Sequence, residues 1–121
     1  MISWGSIAYG AALSAVAAAV AVALALRERR PGVLLAAALA AAAGPLAWNA
    51  ILRDVNAPGF FVDAPFAALP ASWQDTGSGV FAATAALALG LGPLRAASGR
   101  RLALVALTCG IAAFLVDVYL Y

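Results

Sequence analysis

The sequence has few of the side chains from which catalytic and metal sites are usually built. It contains no histidine and no lysine, and its one cysteine, Cys109, lies inside an apolar run. A single cysteine excludes an internal disulfide. The lack of histidine also argues against zinc, haem and iron–sulfur centres. We therefore expect no metal site, no cofactor and no catalytic residue set, and we favour a non-enzymatic role, although the sequence does not decide that question.

Charge is also scarce. Only 10% of the 121 residues are charged, 66% are hydrophobic, and the mean hydropathy is +1.01. A soluble domain is about half apolar, so this composition is typical of an integral membrane protein whose partner is the lipid bilayer. The arginines lie mainly in two short clusters between apolar runs. The net charge of +2 therefore does not indicate a nucleic-acid partner.

Four apolar segments predict four membrane-spanning helices, because about 20 apolar residues cross the ~30 Å of a bilayer. We place the helices at about 2–26, 31–52, 73–92 and 102–120. Residues 1–121 then form a single all-α domain, a four-transmembrane-helix bundle with one long loop between the second and third helices. No basic residue precedes the first run, which is too long for a signal-peptide core, so we expect it to be retained.

Local signals mark where these helices begin and bend. Pro31 suits the first turn of a helix, where its missing N–H is not needed. Gly44 and Pro45 predict a bend in the second helix that opens room beside Trp48. Ser72 followed by Asp75 three residues later has the pattern of a capping box that opens the third helix.

The arginines predict how the chain is threaded, because short basic loops stay in the cytoplasm. The turns Arg27–Arg30 and Arg95–Arg101 are accordingly expected inside the cell membrane, with both termini and the 53–72 loop outside. Under this threading every tryptophan and tyrosine falls on the outer side: Trp4, Tyr9, Trp48, Trp73, Tyr119 and Tyr121. Because a simple anchor usually has aromatic belts on both sides, this asymmetry indicates a functional outer face.

We expect ligand or partner binding at this outer face, through side chains that are polar or aromatic in an otherwise hydrocarbon chain. The candidates are Trp48, Asn49, Arg53, Phe60, Phe61, Trp73, Asp75 and Asp117. The two tryptophans either anchor the protein at the membrane surface, which we favour, or line a crevice for a ligand.

Asp117 is an acid inside a membrane helix, and such residues are functional candidates by default. We favour a structural pairing about one turn below the outer surface. Arg53 either snorkels to the headgroups or pairs with a carboxylate, with Asp117 the first choice and Asp75 the second. Asn49, one turn below Arg53, could orient that pair.

Two motif matches have simpler explanations. The run from Asp75 to Ser78 matches the D-T-G-S signature of aspartic proteases. That chemistry needs two carboxylates, whereas the motif occurs once here, and a helix cap explains Asp75 better. The acids near the loop could offer oxygens to calcium, but their spacing matches no known calcium loop.

Three functions remain open. The first is a non-catalytic accessory subunit or homo-oligomer whose alanine-rich helices dock to other membrane helices and whose outer loop makes a specific contact. The second is binding or transport of a lipid-like or small hydrophobic molecule at the outer leaflet. An enzyme that uses outer carboxylates as acid and base ranks last.

Overall fold

A computed structural model describes residues 3–56, 58–61, 69, 71–89 and 99–120. The described chain is all-helical, with α1 Trp4–Ala25, α2 Pro31–Asp54, a short 3-10 helix Pro58–Phe61, α3 Trp73–Leu89 and α4 Gly99–Leu120. Several sequence predictions concern residues outside this description. They include most of the 53–72 loop with Asp63, the end of the third helix at 90–92, residues 95–98 of the second arginine turn, and the terminal residues 1, 2 and 121.

The all-helical class and a membrane setting agree with the sequence prediction. Helices α1, α2 and α4 have 22, 24 and 22 residues and are apolar enough to cross a membrane. At 1.5 Å per residue they extend about 33–36 Å. Helix α3 has 17 described residues, or about 25 Å, which is less than the ~30 Å of a hydrocarbon core. Three helices of spanning length are therefore established, and the four-span bundle stays a prediction.

The helix starts follow from local hydrogen bonding. Ser3 caps α1 by accepting the backbone N–H of Ser6 at 3.2 Å. Pro31 occupies the first turn of α2. The capping box predicted for α3 is confirmed, because the Asp75 N–H donates to Ser72 Oγ at 3.3 Å and the Ser72 N–H donates to Asp75 Oδ2 at 2.7 Å.

The helices run alternately up and down, and each packs on the next, with α1 also packed on α4 and α2 on α4. Small residues permit this close packing. A Cβ on Gly44 of α2 would lie only 2.3 Å from the backbone nitrogen of Ala82 in α3, and one on Gly79 of α3 would lie 2.9 Å from the carbonyl oxygen of Gly110 in α4. Alanines fill most of the core, which has little side-chain volume to keep the helices apart.

Helix α2 continues without interruption through Gly44 and Pro45. Asn49 Nδ2 donates to the carbonyl oxygen of Pro45 at 2.8 Å. The bend at Pro45 stays a prediction. The space expected beside Trp48 is not open, because the centroid of its ring lies 5.2 Å from the ring centroid of Phe81 and 6.0 Å from that of Phe60. Trp48 turns its ring into the bundle, and neighbouring side chains fill the volume that a bend was expected to open.

Candidate polar site at the loop end

The up-and-down arrangement gathers the start of α1, the end of α2, the start of α3 and the end of α4 at one end of the molecule, which we call the loop end. The opposite end, which carries Arg27–Arg30 and Arg101, is the arginine end. All predicted site residues within the described chain lie at the loop end or within two helical turns of it. They do not form one crevice, however, but divide into separate groups.

The first group surrounds Trp48. A Cβ on Gly77 of α3 would lie 2.0 Å from Trp48 Nε1, so the indole lies directly on the α3 backbone at that position. The rings of Phe60 and Phe81 also pack against the indole. Trp48 is therefore a packing residue between α2 and α3, and only a glycine fits beneath it.

The second group is the α3 cap. Asp75 is buried, and its Oδ2 accepts hydrogen bonds from both the backbone N–H and the hydroxyl of Ser72, the latter at 3.0 Å. Thr76 Oγ1 donates to the Ser72 carbonyl oxygen at 3.1 Å. The D-T-G-S stretch is thus the first turn of a helix, where a carboxylate also complements the positive end of the helix dipole.

The third group joins α3 to α4. Gln74 Nε2 donates to Asp117 Oδ2 at 3.0 Å and to Ser78 Oγ at 3.2 Å. All three side chains are almost fully buried, with Asp117 0% exposed. Asp117 Oδ1 has no hydrogen-bond partner of good geometry in the described chain, although the Ser78 hydroxyl lies near the carboxyl group. An acid is thus held inside the bundle by one neutral amide.

The structure does not show the predicted pairing of Arg53 with Asp117. The ion pairs among residues 3–56, 58–61, 69, 71–89 and 99–120 do not include it. The guanidinium carbon of Arg53 instead lies 4.8 Å from the ring centroid of Trp4, a cation–π contact between α2 and α1. The register of the helices explains the difference, because Gln74 is the residue that α3 places opposite Asp117.

Asn49 does not orient an ion pair either. Its Nδ2 is used by the Pro45 carbonyl oxygen, and its Oδ1 is buried without a hydrogen-bond partner in the described chain. The remaining candidates differ in exposure. Trp73 is 68% exposed and Phe60 is 38% exposed. Phe61 ends the 3-10 helix, and its side chain lies outside the described part.

A comparison with known proteins identifies no relative. No protein-family model, curated protein or solved structure matches this chain. The candidate site must therefore be interpreted from its own geometry.

Sequence reasoning missed Gln74 and Ser78. Their four-residue spacing puts both polar side chains on one face of the first turns of α3. That pattern was visible in the sequence, but the partner across the interface was not.

Within the described residues no group of three or more histidine, cysteine or acidic side chains could hold a metal ion.

The arginine end has a different chemistry. Glu28 is 5% exposed and binds the side chains of Arg30 at 3.0 Å and Arg101 at 3.3 Å, which ties the α1–α2 turn to α4. These hydrogen bonds, that of Arg30 first, lower the pKa of Glu28 from 4.5 to about 2, and the same contact raises the pKa of Arg30. Arg101 also donates to the Leu26 carbonyl oxygen at the end of α1.

An apolar groove of about 270 Å³ runs along the outside of the α3–α4 contact. Gly79 and Gly110 form part of its floor, where the two backbones approach most closely. The other lining residues are Thr76, Val80, Ala83, Leu107, Ile111 and Phe114. The groove begins near the loop end, at Thr76, and follows α3 and α4 towards the middle of the bundle.

Proposed function

We propose that the chain is a multi-pass membrane protein that acts as a non-catalytic interaction subunit, through contacts at its loop end with another membrane protein or with copies of itself. The observation that carries this proposal is how the predicted site residues are used. Trp48 and Asp75 are occupied in packing and capping, whereas the exposed candidates are aromatic. A site for a small polar ligand needs free polar groups in a pocket, while a contact surface needs exposed rings.

The exposed rings form a rim at the loop end. Trp73 and Tyr119 are 68% and 62% exposed, Trp4 is 47% exposed, and Phe60 belongs to the same end. Aromatic side chains are enriched where a few residues supply most of the binding energy of an interface. Rings at this level also suit the headgroup layer, so the same rim places the protein at a defined depth.

The proposal includes the threading predicted by the arginines. We place α3 across the membrane as the fourth span, the arginine end in the cytoplasm, and the loop end outside. The contacts of Glu28 support this arrangement. Arg30 and Arg101 share this one buried acid, so it offsets only part of their positive charge and the arginine end stays basic, as expected of a cytoplasmic turn.

Cysteine labelling tests the threading. Cys109 is buried, so an introduced cysteine can be followed above a low background. In intact cells, a membrane-impermeant reagent is expected to label Asn56→Cys and not Ser98→Cys. The reverse pattern, or labelling of both positions, would contradict an outer loop between α2 and α3.

The molecular mass in mild detergent tests the interaction itself. We expect a complex larger than one copy of the chain, and we expect Trp73→Ala to reduce the fraction in that complex. Leu35→Ala is the matched control, since Leu35 is 61% exposed on α2 far from the loop end. A monomer that carries no second protein, or equal effects of the two variants, would refute a contact at the aromatic rim.

A second function, binding of a lipid-like molecule, is favoured by the α3–α4 groove. Its apolar lining and its opening towards the membrane suit one acyl chain. Val80→Trp should fill the groove and reduce the lipid that copurifies with the protein. Val16→Trp, on the exposed face of α1, is the control. Unchanged lipid content in Val80→Trp would argue against this function.

A further inference from the structure

Each of the four helices contributes at least one buried oxygen-bearing side chain to the loop-end half of the bundle. Four of these side chains, Ser14 on α1, Asn49 on α2, Ser78 on α3 and Asp117 on α4, are each 0–1% exposed, and α3 also buries Gln74 and Asp75 there. Ser14 Oγ, Asn49 Oδ1 and Asp117 Oδ1 have no hydrogen-bond partner in the described chain. Buried polar atoms normally have a partner, so three such oxygens in one region need an explanation.

Contacts between the helices put these side chains at similar depths. The Gln74–Asp117 hydrogen bond aligns α3 with α4, and the contact of Trp48 with Gly77 puts Asn49 beside the same turn of α3. The Arg101 bond to the Leu26 carbonyl aligns α4 with α1, which puts Asp117 near the level of Gly10. Ser14 is then four residues deeper, or about 6 Å.

The direction of the Cα–Cβ bonds reduces this difference. In an α-helix these bonds tilt towards the N-terminus. Helix α1 starts at the loop end, so Ser14 tilts towards that end, whereas Asp117 and Asn49, on helices that run towards the loop end, tilt towards the membrane centre. The side chains therefore differ less in depth than their Cα atoms do.

The charge of Asp117 requires a counter-charge. Gln74 is neutral, and Asp117 takes part in no ion pair within the described chain. A carboxylate buried without a counter-charge is disfavoured, because burial removes the water that would stabilise its charge. The nearest other acid in sequence, Asp75, is already held by Ser72 in the cap.

We propose that Asp117 Oδ1, Asn49 Oδ1, Ser78 Oγ and Ser14 Oγ bind one monovalent metal cation between the four helices. Hard cations take oxygen ligands, and a set with a single carboxylate balances one positive charge. Gln74 positions the site, because it holds Asp117 Oδ2 and leaves Oδ1 for the ion. This inference goes beyond the proposed interaction and does not depend on a partner protein.

Sodium is the probe for the test. Thermal unfolding of the purified protein in mild detergent is compared in sodium chloride and in choline chloride at equal ionic strength. We expect the protein to be more stable in sodium. Above the dissociation constant, the unfolding equilibrium constant should fall up to tenfold for each tenfold rise in sodium. Asp117→Asn should remove this dependence, whereas Asp54→Asn, an exposed acid at the end of α2, should retain it.

Ser14→Ala provides a second variant that keeps the charge of Asp117. It should move the sodium dependence to higher concentration. Equal unfolding in the two salts, or a sodium effect that persists in Asp117→Asn, would overturn the proposal. So would an infrared carboxylic-acid band that is lost in Asp117→Asn and insensitive to sodium, because Asp117 would then be neutralised by a proton. If Asp117→Asn does not fold, the wild type in the two salts and Ser14→Ala decide the question.

Discussion

The contact between Gly44 and Ala82 offers the sharpest test of how α2 packs on α3. A Cβ added at residue 44 would lie 2.3 Å from the backbone nitrogen of Ala82 and 2.6 Å from its Cα. Non-bonded carbon atoms are most favourably about 3.5–4.0 Å apart, so the helices would have to separate by roughly 1 Å. Since the obstacle is backbone and not a flexible side chain, rotation of a side chain cannot relieve it.

The expected loss of stability in Gly44→Ala follows from two opposing effects. Overpacking of a tight contact costs typically about 1–3 kcal/mol. Replacing glycine by alanine in a helix interior recovers up to about 1 kcal/mol. We therefore expect a net loss of about 1–2 kcal/mol in the free energy of unfolding. Gly32→Ala is the matched control, because Gly32 lies in the first turn of α2 and a Cβ there meets nothing within 4 Å.

Unfolding of the detergent-solubilised protein, followed by circular dichroism or tryptophan fluorescence, measures both variants. Gly44→Ala should unfold at a lower temperature than the wild type, and Gly32→Ala at the same or a slightly higher temperature. If Gly44→Ala is as stable as the wild type, α2 and α3 do not meet at this position. A loss in Gly32→Ala equal to that in Gly44→Ala would instead point to a general effect of alanine.

Three further predictions concern charged and polar residues. The pKa of Glu28 is about 2 in the folded protein and 4.5 ordinarily, so the ion pairs of Glu28 stabilise the fold above pH 4.5 and this stability is lost as the pH falls towards 2. Thermal unfolding measured over a pH series should show this loss in the wild type and not in Glu28→Gln. Asp117→Asn and Gln74→Leu should give non-additive losses with a coupling of about 0.5–3 kcal/mol in a double-mutant cycle, and additive losses would contradict the hydrogen bond. Arg27 and Asn56 have φ of 53° and 52°, a conformation that glycine adopts without strain and that asparagine tolerates better than arginine. Thermal unfolding should therefore show a larger gain in stability for Arg27→Gly than for Asn56→Gly.

The helices and their starts were predictable because they depend on local chemistry. Runs of apolar residues establish which segments can enter a membrane, and Pro31 and the Ser72–Asp75 pair mark two helix starts within a few residues of sequence. The end of α2 is less sharply defined, since the helix continues to Asp54, two residues past the predicted 52. The residue after the C-cap, Asn56, has a φ of 52°, a conformation in which helices commonly end.

The partner of Asp117 was not predictable in the same way. Charge favours Arg53, but contact across a bundle depends on the relative axial position and rotation of the helices. These are determined by small-residue contacts such as Gly79 with Gly110, which a sequence pattern does not pair. Because alanine-rich helices offer many equivalent contacts, the sequence admits several registers, and only the structure shows that Gln74 faces Asp117.

Two of the buried acids, Glu28 and Asp117, show how the two ends of the bundle differ. Glu28 and Asp117 are both nearly inaccessible, but Glu28 meets two guanidinium groups and backbone N–H groups, whereas Asp117 Oδ2 accepts from one neutral amide. A sequence selected only for stability would be expected to pair or remove such an acid, since a buried charge without a partner is costly. Local violations of this kind concentrate at functional sites. The ion pairs of Glu28 therefore stabilise the arginine end, whereas the incompletely bonded Asp117 is consistent with the binding that we propose at the loop end.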